Sequence, residues 1–109
     1  MIQTTYIVMR DVRQAESDEH AAMAHQDIYR GESFSEAKAA LLGKMLGYAI
    51  YLDSFKDGWA KRRANAIRNA TIDVERWTDS GFDRESSWSF QSIDTDTIVW
   101  KMVKMVRLS

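Results

Sequence analysis

His20 and His25 are the two histidines of the chain, and Asp18, Glu19 and Asp27 lie close to them in sequence. In an extended strand His25 and Asp27 point to the same side, and an imidazole beside a carboxylate is a pair that a divalent cation accepts. A five-residue spacing between the histidines matches no common metal site, and the plainer reading is a polar hairpin end. In "DTDT", Asp94 and Asp96 would share a strand face and offer hard oxygens to a cation. Turn chemistry, in which Asp and Thr bond their own backbone, explains the same residues. Asp73 and Glu75 have the Asp-x-Glu form of a nuclease but lack a lysine at short downstream spacing, so they read as a solvated strand face. No serine sits in a G-x-S-x-G turn, and the five glycines are scattered rather than gathered into a phosphate loop. The chain has no cysteine, which excludes disulfides, thiolate chemistry and Cys-ligated zinc. A small metal-dependent hydrolase built on His25 and the aspartates is therefore the weakest functional reading. No catalytic residue, metal ligand or cofactor is assigned.

The strongest electrostatic feature is "KDGWAKRRANAIR". It places Lys56, Lys61, Arg62, Arg63 and Arg68 within about four helical turns, with Trp59 among them. Arginine pairs bidentately with phosphates, and tryptophan stacks on bases. Nucleic-acid or nucleotide binding through this segment is thus the second functional reading. Against it, Trp59 falls on the apolar stripe and is expected in the core, leaving the charges as the solvated back of a helix. Net charge is −1 but uneven. Residues 1–33 carry three basic and six acidic side chains, residues 34–70 seven and three, and residues 71–109 five and seven. A basic middle between acidic ends suits neither a chain that coats nucleic acid nor a wholesale acidic mimic of it.

A length of 109 residues fits a single domain spanning 1–109 with one core. "TTYIVMRDV" reads as a strand, and "HAAMAHQDIYR" as helix or as a second strand hairpinned to the first. Ser33 and Glu36 have capping-box spacing. From there Phe34, Ala37, Leu41, Met45, Tyr48, Leu52 and Phe55 recur at the helical period. The stripe continues in phase through Trp59, Ala66 and Ala70, so one long helix, kinked near Gly58, and a helix pair capped by Asp57 fit equally. "TIDVERW" alternates like a half-exposed strand. "WSFQSI" is a short strand with Trp88 and Phe90 on one face. "IVWKMVKMVRL" is the longest strand and apolar on both faces, with Ile98, Trp100, Met102 and Val106 on one and Val99, Val103 and Met105 on the other. Such a strand belongs at the centre of a sheet, or in a sheet covered on both sides. The order β(β)αβββ implies an α+β fold: a mainly antiparallel sheet of four to five strands against the helix or helix pair.

The helix has a second apolar face. Ala39, Leu42, Gly43, Leu46, Gly47 and Ile50 cluster on the side away from Leu41. Two mid-helix glycines cost roughly 2 kcal/mol in propensity, a sacrifice that close backbone contact would explain. The face is then covered inside the chain, a contact surface for a homodimer or a protein partner, or part of a small-ligand cleft. The leading functional reading is a small non-catalytic binding or inhibitor module acting by protein–protein contact. In type it is similar to the phage-encoded anti-defence proteins, anti-CRISPR proteins included, a likeness of character that no motif carries. The N-terminus lacks the basic and apolar regions of a secretory signal, and no run is long enough to span a bilayer. A cytoplasmic protein without membrane association is expected.

Overall fold

The computed structural model describes residues 1–12, 25–95 and 97–108. Asp18, Glu19, His20 and Asp96 lie outside them. The elements are β1 (Ile2–Val12), β2 (Gln26–Gly31), α1 (Phe34–Asp53), α2 (Gly58–Glu75), a 3-10 turn (Asp79–Gly81), β3 (Trp88–Thr95) and β4 (Ile98–Leu108). The four strands form one antiparallel sheet in the order β2-β1-β4-β3. The fold is α+β, with the two long strands at the centre.

The sheet carries its core on one face. Tyr6, Val8, Ile98, Trp100 and Met102 pack with Ala37, Leu41, Met45, Ala49 and Leu52 of α1 and with Ala60, Ala64, Ile67, Ala70 and Val74 of α2. Trp100 is fully buried at the centre. Its indole N–H donates to Thr95 Oγ1 at 2.7 Å, and the Thr95 hydroxyl donates to the Ile98 carbonyl at 3.2 Å. A buried indole without such an acceptor would carry a desolvation penalty. The ring of Tyr48 meets Trp100 edge-on at 6.3 Å and ties α1 to β4. The alanines of α2 make its inner face shallow, which lets the helix lie close to its neighbours.

Helix α1 starts where Ser33 Oγ accepts the Glu36 N–H at 3.2 Å. The reciprocal half of the capping box is not made. Glu36 instead accepts a hydrogen bond from the Tyr29 hydroxyl at 3.1 Å, which fastens the helix start to β2. The long helix is a pair, broken over residues 54–57, and Asp57 caps α2 with its backbone carbonyl rather than its side chain. Helix α2 turns back along α1. Arg68 pairs with Asp53 at one end, and Lys38 donates to the carbonyls of Glu75 and Trp77 at the other. A lysine there satisfies carbonyls that a helix C-terminus leaves without partners.

Two expectations are corrected. "TIDVERW" is not a strand but the last turns of α2 and its cap. Its β-branched residues fit the helix because Val74 is buried and the Thr71 hydroxyl donates to the Arg68 carbonyl at 2.6 Å. Asp73 and Glu75 therefore form no strand pair. Trp59 is not a core residue. The break at residues 54–57 shifts the phase of the stripe, and Trp59 is left 40% exposed. The expectation for β4 holds: it is central, with the helices on one face of the sheet and Val103 buried on the other.

Replacing Trp100 with alanine removes the largest buried side chain and the hydrogen bond that Thr95 Oγ1 accepts from it. The variant should lose roughly 3–5 kcal/mol, comparable to the whole stability of a small domain. Urea unfolding checks this, and a variant with an unchanged midpoint would refute the central role of Trp100.

Candidate interaction surfaces

The outer face of α1 is the surface that sequence reasoning singled out. Ala39, Gly43, Leu46, Gly47 and Ile50 are all exposed, and Leu42 is half-buried against the core. Leu46 is 43% and Ile50 67% exposed. Tyr51 extends the patch at its C-terminal end and is also exposed. A Cβ built on Gly43 or Gly47 meets no heavy atom within 4 Å among the described residues. Intramolecular packing therefore does not require these glycines. Helix α2 does fold back, but along the flank marked by Lys38 and Asp53 rather than over the glycines.

The basic segment is only partly available. Arg68 is engaged by Asp53, with Nη1 at 3.2 Å from Oδ1 and Nη2 on Oδ2. Arg63 lies over the Trp59 ring at 4.9 Å. Lys56, Lys61 and Arg62 are exposed. A run of rings leads from the core to this point: Trp100, Tyr48, Tyr51, Phe55 and Trp59 follow one another at 5.2–6.3 Å between centroids.

His25 sits between two carboxylates. Its Nδ1 is 2.6 Å from Asp11 Oδ1 and its Nε2 is 2.8 Å from Asp27 Oδ1. Asp27 was anticipated from the strand alternation, and Asp11 was not. Asp11 comes near through the pairing of β1 with β2, which starts within a few residues of both. With a carboxylate on each ring nitrogen, the three groups do not converge on a common point, and no metal-holding group of three or more is found among the described residues. The arrangement clasps an imidazolium. Its hydrogen bonds to Asp11 and Asp27 raise the His25 pKa above 6.5, outweighing desolvation.

Sequence reasoning missed a second titratable cluster. Tyr6 donates to Asp79 Oδ1 at 2.7 Å, and Lys104 Nζ reaches the same oxygen at 3.0 Å. The Lys104 ammonium lies 5.7 Å from the Tyr6 ring centre and 5.6 Å from that of Phe82. Burial, followed by the hydrogen bond to Asp79, pushes the Tyr6 pKa up. Burial also works to raise Asp79, but the Tyr6 hydroxyl and the Lys104 ammonium hold it below its ordinary value. Tyr6 therefore stays neutral and Asp79 ionised. A shallow depression of about 520 Å³ adjoins them, lined by Asp79, Ser80, Asp83, Arg84, Lys104 and Val106. Every charged member of the trio is paired with another, so it fastens the 78–82 turn to the sheet. The partners lie 73 and 25 residues apart, and no local spacing marks them.

The sheet face away from the helices is the third surface. Ile7 and Val103 are buried there but stand outside the core cluster. Beside them Trp88 is 52% and Phe90 48% exposed, with ring centroids 5.5 Å apart. Compared with known proteins, the chain matches no family model, no curated protein and no solved structure. Among the described residues no helix is long and apolar enough to cross a membrane.

Two outcomes follow. Because a methyl group at Gly43 or Gly47 meets open space, Gly43→Ala and Gly47→Ala should each stabilise the fold by about 1 kcal/mol, read as a higher melting temperature; a loss of stability would show that the face is packed. The raised pKa of His25 makes its protonated form the one the fold prefers. The stability it contributes is fully present below pH about 6.5 and is lost as pH rises through the raised pKa. His25→Gln should remove that part of the pH dependence of unfolding, and an unchanged profile would contradict the clasp.

Proposed function

We propose that this chain is a non-catalytic binding module that acts by protein–protein contact, with the outer face of α1 as its contact surface. The observation that carries the reading is the open space over Gly43 and Gly47 beside exposed Leu46 and Ile50. A helix that needs only one apolar face has two, and the second is weakened by glycines that no packing within the described chain requires. Contact with a partner gives both features a reason: the glycines let another backbone approach, and the large side chains supply apolar area. An inhibitor of the anti-defence type acts in this way, by occupying a surface on its target.

Nucleic-acid binding is the second reading. The exposure of Trp59 with Arg63 over its ring favours it, since an arginine–tryptophan pair flanked by Lys56, Lys61 and Arg62 suits a base and its phosphate. Arg68 contributes least, because Asp53 already neutralises it.

A photo-crosslinking residue at position 50 tests the leading reading in cells that contain the target. It should give one discrete protein adduct, abolished by Leu46→Lys, while the same residue at exposed position 65 of α2 gives none. Equal labelling at both positions, or adducts that survive Leu46→Lys, would contradict it. In cells with active CRISPR immunity, the anti-defence form of the reading expects the wild-type chain to restore plating of a targeted phage and Leu46→Lys to abolish the effect.

A further inference from the structure

We infer that Arg30 and Arg107 form an anion site over Thr5, at one end of the sheet face away from the helices, and that it takes a phosphomonoester group. The site is separate from the α1 face and does not depend on it. Strand pairing fixes its placement. Arg30 pairs with Ile7 across β1 and β2, while Thr5 pairs with Met105 and Gln3 with Arg107 across β1 and β4. Gln3, Thr5 and Ile7 alternate along β1 and so share one face. Arg30 therefore approaches Thr5 from β2 on one side, and Arg107 approaches from β4 on the other. With Gln3, Thr5 and Met105 the two arginines line one hollow of about 140 Å³. Its residues stand on strands, which hold a site more precisely than loops do.

The polar lining consists of hydrogen-bond donors. A guanidinium has N–H groups and no acceptor, and the Thr5 hydroxyl and the Gln3 amide can donate as well. No carboxylate lines the hollow. Among the described residues neither Arg30 nor Arg107 has an ion-pair partner, whereas Arg68 is held by Asp53 and Lys101 lies over the Phe90 ring. Two like charges turned onto one hollow repel, and an anion between them replaces that repulsion with attraction. The acids of these strands stand elsewhere. Asp11 and Asp27 are engaged with His25 towards the other end of β1 and β2. Asp94 lies in the same cross-strand row as Asp11, through Val99. Glu32 borders a separate depression, with Gln3 and Thr4.

Two guanidinium charges match a dianion. A phosphomonoester carries about −1.5 to −2 at neutral pH and offers several acceptor oxygens, and arginine forks pair with it bidentately. A carboxylate has a single charge, so it satisfies one fork and leaves the other. A polyanion laid along the strands would meet the acidic row at Asp11 and Asp94, so an isolated phosphoryl group is the better fit. A small molecule or a phosphorylated side chain of a partner segment can carry that group. Pairing of β2 ends at Tyr6 with Gly31, so among the described residues the β1 edge from Ile2 to Thr5 has no strand partner on that side. An extended segment added to this edge brings alternate side chains to the same face as the hollow.

NMR of the full chain, titrated with glycerol 2-phosphate at constant ionic strength, tests the inference. Saturable shifts are expected at Gln3, Thr5, Arg30 and Arg107, with acetate binding about tenfold more weakly. Arg30→Gln and Arg107→Gln should each weaken glycerol 2-phosphate about tenfold. Both side chains are exposed, so the variants should keep the wild-type circular dichroism spectrum. Should one fail to fold, Arg107→Lys keeps the charge, removes the fork and should still weaken binding. A short peptide with a central phosphoserine separates the two sources. Tighter binding than glycerol 2-phosphate, with added shifts at Ile2 and Thr4, assigns the group to a partner segment; equal binding assigns it to a small molecule. Leu46→Lys should leave phosphate binding unchanged, so this site and the α1 face stand or fall separately. Shifts that do not saturate, equal shifts at Lys56, Lys61 and Arg62, acetate as tight as glycerol 2-phosphate, or binding that survives Arg30→Gln with Arg107→Gln would overturn the inference.

Discussion

Two helices of 20 and 18 residues cover one face of a four-stranded sheet and no more. That limit governs the rest of the molecule. Trp100, Met102, Val8 and Tyr6 point into the covered layer, and their burial anchors the fold. The residues between them in β1 and β4 necessarily point the other way. Those positions are mixed: Ile7, Met9, Val103 and Met105 are apolar, with Ile7 and Val103 already buried, while Lys101, Arg107 and Asp11 are charged. The same limit applies to α1. One side of it lies on the sheet and one flank on α2, so whatever the remaining side carries is presented to the surroundings.

The polar contacts keep the layers in register. Lys38 and Arg68 hold the helix pair together at its two ends. Tyr29 with Glu36 fixes the start of α1 to β2, and Tyr6, Asp79 and Lys104 fix the 3-10 turn to the sheet. In each set the charges or hydroxyls are mutually satisfied. Exposed apolar side chains stand outside these contacts: Leu46, Ile50 and Tyr51 on α1, and Trp88 with Phe90 on the sheet. The exposed apolar patch on α1 is what supports the proposed contact with a partner.

Much of this was legible in the sequence because it rests on local periodicity. The stripe from Phe34 to Leu52 marked α1 and its buried side, the apolar run from Ile98 marked the central strand, and Ser33 marked the helix start. The residues of the second α1 face were also readable, but their exposure was not, because it depends on where α2 docks. "TIDVERW" misled because β-branched residues favour strands, whereas the spacing of Ile67, Ala70 and Val74 continued the helix. Trp59 misled because a periodic stripe holds its phase only while the helix is unbroken. Of the site chemistry, Asp27 beside His25 could be seen from strand alternation; Asp11 and the Tyr6–Asp79–Lys104 cluster arise from tertiary pairing that no local spacing encodes.

The central claim is that the outer face of α1, open among the described residues, is the proposed contact surface for a partner. Methyl NMR with a soluble paramagnetic chelate, recorded on the isolated chain and again with its target present, reads that face directly. The account predicts that the Leu46 and Ile50 methyls are accessible in the isolated chain and become screened when the target is bound. Screened Leu46 and Ile50 methyls in the isolated chain, or methyls that stay accessible in the complex, would contradict it.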